Sequence, residues 1–165
     1  MPGISFLFWN VNQSPLRDRI ARLVVAHSVD VVILAECTMQ SSVVSRALND
    51  VTGDTFRVVP GSGSELRLFT RFAASNFQIE QREQFEAWLA FRVNGPILPE
   101  LILYAVHLPS KLWTTENDQI LVTSNLAGDI RLLEQQQRHD RTVVVGDLNA
   151  NPFELQSPVP SDCTR

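Results

Sequence analysis

Four short polar clusters in this sequence each follow an apolar run: Trp9-Asn10-Val11-Asn12, Leu34-Ala35-Glu36, Val106-His107-Leu108-Pro109-Ser110, and Val145-Gly146-Asp147-Leu148-Asn149-Ala150-Asn151-Pro152. Carboxylate and amide oxygens bind a hard cation such as Mg2+, and an imidazole can handle a phosphate oxygen or a proton near neutral pH. A carboxylate is an acceptor only, and so suits a metal; a side-chain amide also donates, and so suits the charge that develops on a phosphoryl oxygen. Asn10, Glu36, His107, Asp147 and Asn149 could therefore carry a metal-assisted phosphoryl reaction together.

Such side chains need rigid elements that end at a common cleft, and the apolar runs supply them. Residues 4–11 (ISFLFWNV) form a β-branched and aromatic run ending in Asn-Val-Asn, and Ser14-Pro15 then marks a helix start, with Leu16, Ile20, Leu23, Val24 and His27 at helical spacing. Residues 29–35 (VDVVILA) are apolar apart from Asp30, as expected for a strand covered on both faces, and Glu36 ends them. A helix is expected over 40–50, and strands over 56–59, 66–72, 77–79, 85–93 and 101–107, divided by Gly61-Ser62-Gly63-Ser64 and Asn94-Gly95-Pro96. Thr115 and Asp118 have capping-box spacing ahead of the longest helix, which runs to about His139 with Ile120, Leu121, Leu126, Ile130 and Leu133 on its apolar positions. A buried strand over 142–145 then delivers Gly146-Asp147-Leu148-Asn149, and the pattern dissolves after Phe153.

A chain of 165 residues fits a single domain with a real core, and 44% hydrophobic against 19% charged residues is far from the signature of disorder. The expected organisation is one domain over 1–155 and an irregular tail over 156–165. A net charge of −4 argues against nucleic-acid binding through a basic surface, although a bound cation supplies positive charge locally. Cys37 and Cys163 make neither a disulfide framework nor a zinc ribbon, and the N-terminal apolar run is cut by Asn10 and Asn12 too soon for a signal peptide or a spanning helix. These features point to a cytoplasmic protein without a membrane partner; nothing in the residues speaks to oligomeric state.

The four clusters, in this order, resemble the endonuclease/exonuclease/phosphatase superfamily, whose fold is that of pancreatic deoxyribonuclease. FLFWNVN resembles the family's first strand with its Trp-Asn or Phe-Asn ending, VDVVILAE the strand ending in the metal-binding Glu, YAVHLPS the His-bearing strand, and VVVGDLNANP the Gly-Asp-x-Asn strand. The resemblance implies an α/β fold, a four-layer α-β-β-α sandwich of two mixed β-sheets with outer helices. It implies Glu36 as the main direct Mg2+ or Mn2+ ligand, with Asn10 beside the metal and its water shell. Asp147 would orient or deprotonate the attacking water, Asn149 would donate to phosphoryl oxygens, and His107 would contact the scissile phosphate. Lys111 and Asn12 would contact phosphate and metal-bound water. The partner implied is a phosphodiester substrate, nucleic acid among the options.

Two departures accompany the resemblance. Ala35 stands where many members carry Gln, which removes a supporting side chain but no ligand. The family's late Asp-His pair has no counterpart: Ser161-Asp162-Cys163 follows Asn149 too soon and carries Cys in place of His, so the fold is expected to be incomplete at its C-terminus. The expected function is a metal-dependent phosphodiester hydrolase working through an activated water; the competing expectation is a catalytically incomplete fragment or binding module. No GxSxG elbow or Walker loop offers a different chemistry, and 61–66 lacks the third Gly of a dinucleotide fingerprint. Trp9 and Trp88 read as packing residues, Trp113 as a possible stacking platform, and His27 and His139 as structural residues on helices.

Overall fold

In a computed structural model of the chain, residues 3–62, 65–79, 87–94, 99–110 and 116–149 are described. Two βαβ units frame the molecule. In the first, β1 (Phe6–Asn10) leads through α1 (Arg17–His27) to β2 (Val31–Ala35), which lies parallel to β1 with Asn10 level with Ala35. In the last, β7 (Leu101–His107) leads through α3 (Glu116–Gln137) to β8 (Thr142–Asp147), again parallel, with His107 level with Asp147. Parallel pairing requires such a crossover, and it sets the carboxyl ends of both strands in each pair at the same end of the sheet.

Between these units run α2 (Ser41–Thr52), β3 (Arg57–Val58), β4 (Leu66–Thr70), a 3-10 turn (Ala74–Asn76), β5 (Phe77–Ile79) and β6 (Trp88–Val93). The strands form two four-stranded mixed sheets, ordered β1-β2-β4-β3 and β5-β6-β7-β8, in which all pairs other than β1/β2 and β7/β8 are antiparallel. Three buried clusters show the layering. Ile20, Val24, Val44 and Leu48 of the first two helices meet Val32, Leu34 and Phe69 on the outer face of the first sheet. Val31, Ile33 and Leu68 meet Phe91, Leu103 and Ala105 between the sheets. Leu126 and Leu133 of α3 meet Ala90, Ile102, Tyr104 and Val106 on the outer face of the second. The architecture is the expected α-β-β-α sandwich, and every residue of β2 is buried, as its continuous apolar run requires.

The end of the first sheet remote from Glu36 is tied by a buried carboxylate. Asp30 accepts from the backbone N–H and hydroxyl of Ser5 at 2.7 and 2.9 Å and pairs with the guanidinium of Arg71. On the other side, Trp88 Nε1 and Tyr104 Oη donate to Asp129 on α3 at 3.3 and 3.2 Å, so Trp88 is the packing residue its sequence context suggests.

Several expectations shift. The second strand begins at Val31, because Asp30 is bonded to Ser5, and α1 begins after Pro15, at Arg17. Ile120 and Leu121, expected on the apolar face of α3, are 51% and 60% exposed; the stripe that meets the sheet is set by Val122, Leu126, Ile130 and Leu133. His139 lies beyond the end of α3, with its ring beside Glu100 and accepting the Arg141 N–H. The expected tail over 156–165, Trp113 and the capping residue Thr115 lie outside the described residues.

Candidate active site

The site begins where β1 runs out. Val11 extends the pairing by one bond to Ala35, and Asn12 and Gln13 then take left-handed backbone conformations (φ 44° and 58°) that turn the chain. In this turn the Asn12 N–H donates to Asn10 Oδ1 at 2.9 Å. A backbone N–H can only donate, so the atom it meets must be the amide oxygen, and this fixes which way the Asn10 amide points. Its nitrogen donates to Glu36 Oε1 at 2.8 Å and lies 3.4 Å from His107 Nε2.

Glu36, the first residue after β2, is itself left-handed (φ 50°), a conformation that costs a residue bearing a Cβ about 1–2 kcal/mol. It is gripped on both sides: its N–H donates to the Glu65 carbonyl at 3.2 Å, and its carbonyl accepts from Gln13 at 3.0 Å. Strain held by surrounding bonds in this way is a recurring feature of functional sites. His107 closes the group from the other sheet, with Nε2 3.4 Å from Glu36 Oε1. A protonated Nε2 faces the carboxylate as a donor; an unprotonated one faces the Asn10 amide as an acceptor. The side chains of His107 and Glu36 are 16% and 30% exposed, so the group is enclosed yet open to a ligand.

The end of β8 is built separately. Asp147 lies level with His107, its carbonyl accepts from Leu108 at 2.9 Å, and its Oδ1 accepts the Asn149 N–H at 2.9 Å. Asn149 is left-handed (φ 47°), and its amide nitrogen donates to the Leu108 carbonyl at 2.6 Å. Gly146 lies so close to β7 that a Cβ there would stand 2.6 and 2.8 Å from the carbonyl carbon and nitrogen of Val106.

Asn10, Glu36 and His107 thus meet directly, although they come from two different sheets. The contact between Asn10 and His107 puts the carboxyl ends of β1 and β7 together, and the parallel pairings put Glu36 and Asp147 at that same end, with β1 and β8 in contact across the sandwich. Asp147 and Asn149 are bonded to each other and to the segment that follows His107. Asn12 is exposed and enters through its backbone, and Lys111 lies outside the described residues. Gln13 and Glu65, which hold Glu36 in place, carry no signal in the sequence because they act through main-chain atoms.

These residues fit a hard divalent cation of one type. Glu36 Oε1 is held by the Asn10 amide and lies beside His107 Nε2, while Oε2 has no hydrogen-bond partner among the described residues. Among the described residues no three His, Cys, Asp or Glu side chains assemble into a ready-made cage. Mg2+ keeps several waters and is bound through one or two carboxylates plus substrate oxygens, so Glu36 with the Asn10 amide beside it suits Mg2+ or Mn2+ better than the N/S sets of zinc.

Comparison with known proteins agrees with this architecture. The chain superimposes on TDP2 from D. rerio in complex with a single-strand DNA product (19% identity, TM-score 0.53, covering 90% of this chain and 61% of that one). It also superimposes on an endonuclease/exonuclease/phosphatase family protein from Leptotrichia buccalis (15%, TM-score 0.58, 90% and 67%) and on the mannosyl-6-phosphatase Bt3783 of Bacteroides thetaiotaomicron (13%, TM-score 0.51, 90% and 66%). The chain spans about two thirds or less of the length of each. A search of curated protein sequences returns no significant match. The sequence profile of the endonuclease/exonuclease/phosphatase family matches residues 7–165, nearly the whole chain. The chain belongs to the endonuclease/exonuclease/phosphatase family.

Proposed function

We propose that this chain carries a divalent-metal-dependent phosphodiester hydrolase site. The observation that carries the reading is the convergence, from two sheets, of Glu36 and His107 on the Asn10 amide. Glu36 Oε2 would hold Mg2+ or Mn2+ with Asn10 beside its water shell, and the cation supplies Lewis-acid neutralisation of phosphoryl charge. Asp147 orients the attacking water and accepts its proton as the oxygen bonds to phosphorus. His107 contacts the phosphate and gives a proton to the leaving oxygen as its bond to phosphorus breaks. Asn149 braces the segment after His107 through one amide hydrogen and offers the other to a phosphoryl oxygen. Asn12 and Lys111 are proposed contacts to metal-bound water and to phosphate.

A nucleic-acid substrate is supported by the single-strand DNA product bound to D. rerio TDP2. The cytoplasm is the proposed compartment: Cys37 is a buried free thiol, and no described helix is long and apolar enough to cross a membrane. A second reading is a chain that binds a phosphodiester without cleaving it. One assay separates the two: a single-stranded DNA oligonucleotide, an RNA oligonucleotide and a chromogenic diester, each in millimolar Mg2+ or Mn2+, with and without chelator. Chelator-sensitive cleavage by the parent and none by Glu36→Gln supports hydrolysis; metal-dependent binding without cleavage of any of them supports the second reading and overturns the first.

A further inference from the structure

An arginine stands near each end of β4, and the two have different surroundings. Arg71, just past the end remote from Glu36, pairs with the buried Asp30 and with Asp54, so its charge is met twice. Arg67 is the only charged residue within β4, whose other four residues are buried. It lies level with Leu34 of β2, and Leu34 and Phe69 belong to the cluster under the outer helices, so by strand alternation the Arg67 side chain leaves the sheet on that side. A long cationic side chain lays its stem along such apolar neighbours and carries its charged head to the end of the layer. There the Arg67 guanidinium donates to the carbonyl of Met39, in the segment that leaves Glu36.

That bond uses one of the five N–H donors of a guanidinium. Arg67 makes no further hydrogen bond among the described residues, and no carboxylate among them lies within ion-pair distance, the exposed Glu65 on the same face of β4 included. The helix α2 opens at Ser41, two residues beyond Met39, and its first turn holds no acidic residue, so its positive end adds to the field of the guanidinium. Tying down a carbonyl needs a donor but not a charge, and a cation that is half-buried, as Arg67 is, ordinarily has a charged partner. The chain supplies none, which leaves an anion from outside. The fork of an arginine matches the oxygens of a phosphate in particular. Met39 is three residues past Glu36, which limits their Cα separation to about 11 Å. A nucleic-acid strand carries a phosphate about every 3.4 Å along the duplex axis. A phosphate at Arg67 is therefore a few nucleotides from one at Glu36.

We propose that Arg67 binds a flanking phosphate of a polynucleotide substrate, beside the reacting phosphate and not at it. This deepens the hydrolase reading, on which it rests for the place of the reacting phosphate, and it narrows the substrate to a chain with more than one phosphate. The test is the binding of a labelled single-stranded DNA oligonucleotide, followed by fluorescence anisotropy over a range of salt in the presence of chelator, so that no cleavage is required. Arg67→Met, which keeps the apolar stem, should bind about tenfold more weakly, the loss of one charge-assisted contact. The slope of log affinity against log salt should fall by about 0.7, the value of one phosphate contact to a single strand. A second measurement uses the parent alone and does not depend on the variant folding. The oligonucleotide should protect Arg67 from phenylglyoxal, read by mass spectrometry, and should leave Arg57 reactive, an exposed residue of β3 paired at the remote end of β4. A parent that does not bind the oligonucleotide, an unchanged salt slope in folded Arg67→Met, or equal protection of Arg67 and Arg57 overturns the proposal; an unchanged slope with a lowered melting temperature would make Arg67 a tie for the Met39 carbonyl only. A reduced slope in a chain that cleaves nothing in Mg2+ or Mn2+ upholds the contact and counts against hydrolysis instead.

Discussion

The side-chain amide of Asn10 donates to Glu36 Oε1 at 2.8 Å while its own oxygen is pinned by the Asn12 N–H, so a neutral residue sets the rotamer of the carboxylate proposed to hold the metal. Partners that orient a metal ligand typically matter by about 10–100-fold in affinity or activity. Asn10→Ala should weaken Mn2+ binding by about that factor, measured by calorimetric titration. The melting temperature should change little, because Asn10 is the last, half-buried residue of an edge strand. Parent-like metal affinity would show that Glu36 is held by its backbone bonds alone.

Asn149 can be separated into its two jobs by paired substitutions. Asn149→Gly keeps the left-handed backbone at no steric cost but loses the bond to the Leu108 carbonyl, whereas Asn149→Ala loses both. Both variants should lose hydrolytic activity to a similar extent. The Ala variant should in addition be less stable than the Gly variant by about 1 kcal/mol in urea denaturation.

Gly146 is required by its neighbour rather than by its own backbone. A Cβ there meets the main chain of Val106, which cannot swing aside as a flexible side chain could, so Gly146→Ala must push β8 from β7. The expected loss is about 1–3 kcal/mol, the usual range for overpacking. Scanning calorimetry should show it as a fall of about 2–4 °C in Tm per kcal/mol.

The ion pair at the other end of the sheet provides a control. Asp30 is 4% exposed and satisfies two groups of Ser5 as well as Arg71. Asp30→Ala leaves those donors without their acceptor, at an expected cost of about 1–3 kcal/mol. This sits below the full figure for breaking a buried pair because Arg71 is itself partly exposed to water. Metal affinity should be unchanged, since Asp30 precedes β2 and Glu36 follows it.

What the sequence made legible, and what it hid, follows from what each kind of signal can carry. Continuous apolar runs such as VVILA announce strands buried on both faces, and the polar residue after each run, Asn10, Glu36, His107 or Asp147, stands at a strand's carboxyl end because both parallel pairs place it there. The spacing of α3 was less informative, since Ile120 and Leu121 fit an apolar pattern equally well but lie off the stripe that meets the sheet. His139 read as a helical residue because nothing local announces that the helix stops two residues earlier. The bond between Asn10 and Glu36, the grip of Gln13 and Glu65 on the Glu36 backbone, and the crowding at Gly146 are contacts between segments distant in the chain. No spacing rule encodes contacts of that kind.

A divalent cation held by Glu36 would lie close to both the Asn10 amide of the same sheet and the His107 ring of the other. Paramagnetic relaxation by Mn2+ tests it most directly, because broadening falls steeply with distance from the ion. At substoichiometric Mn2+ the Asn10 side-chain amide and the His107 imidazole resonances should broaden selectively in the parent, while the Asp30 amide does not. In a folded Glu36→Gln variant that selectivity should vanish. Uniform broadening over the acidic surface, or selective broadening that survives in Glu36→Gln, would contradict the account.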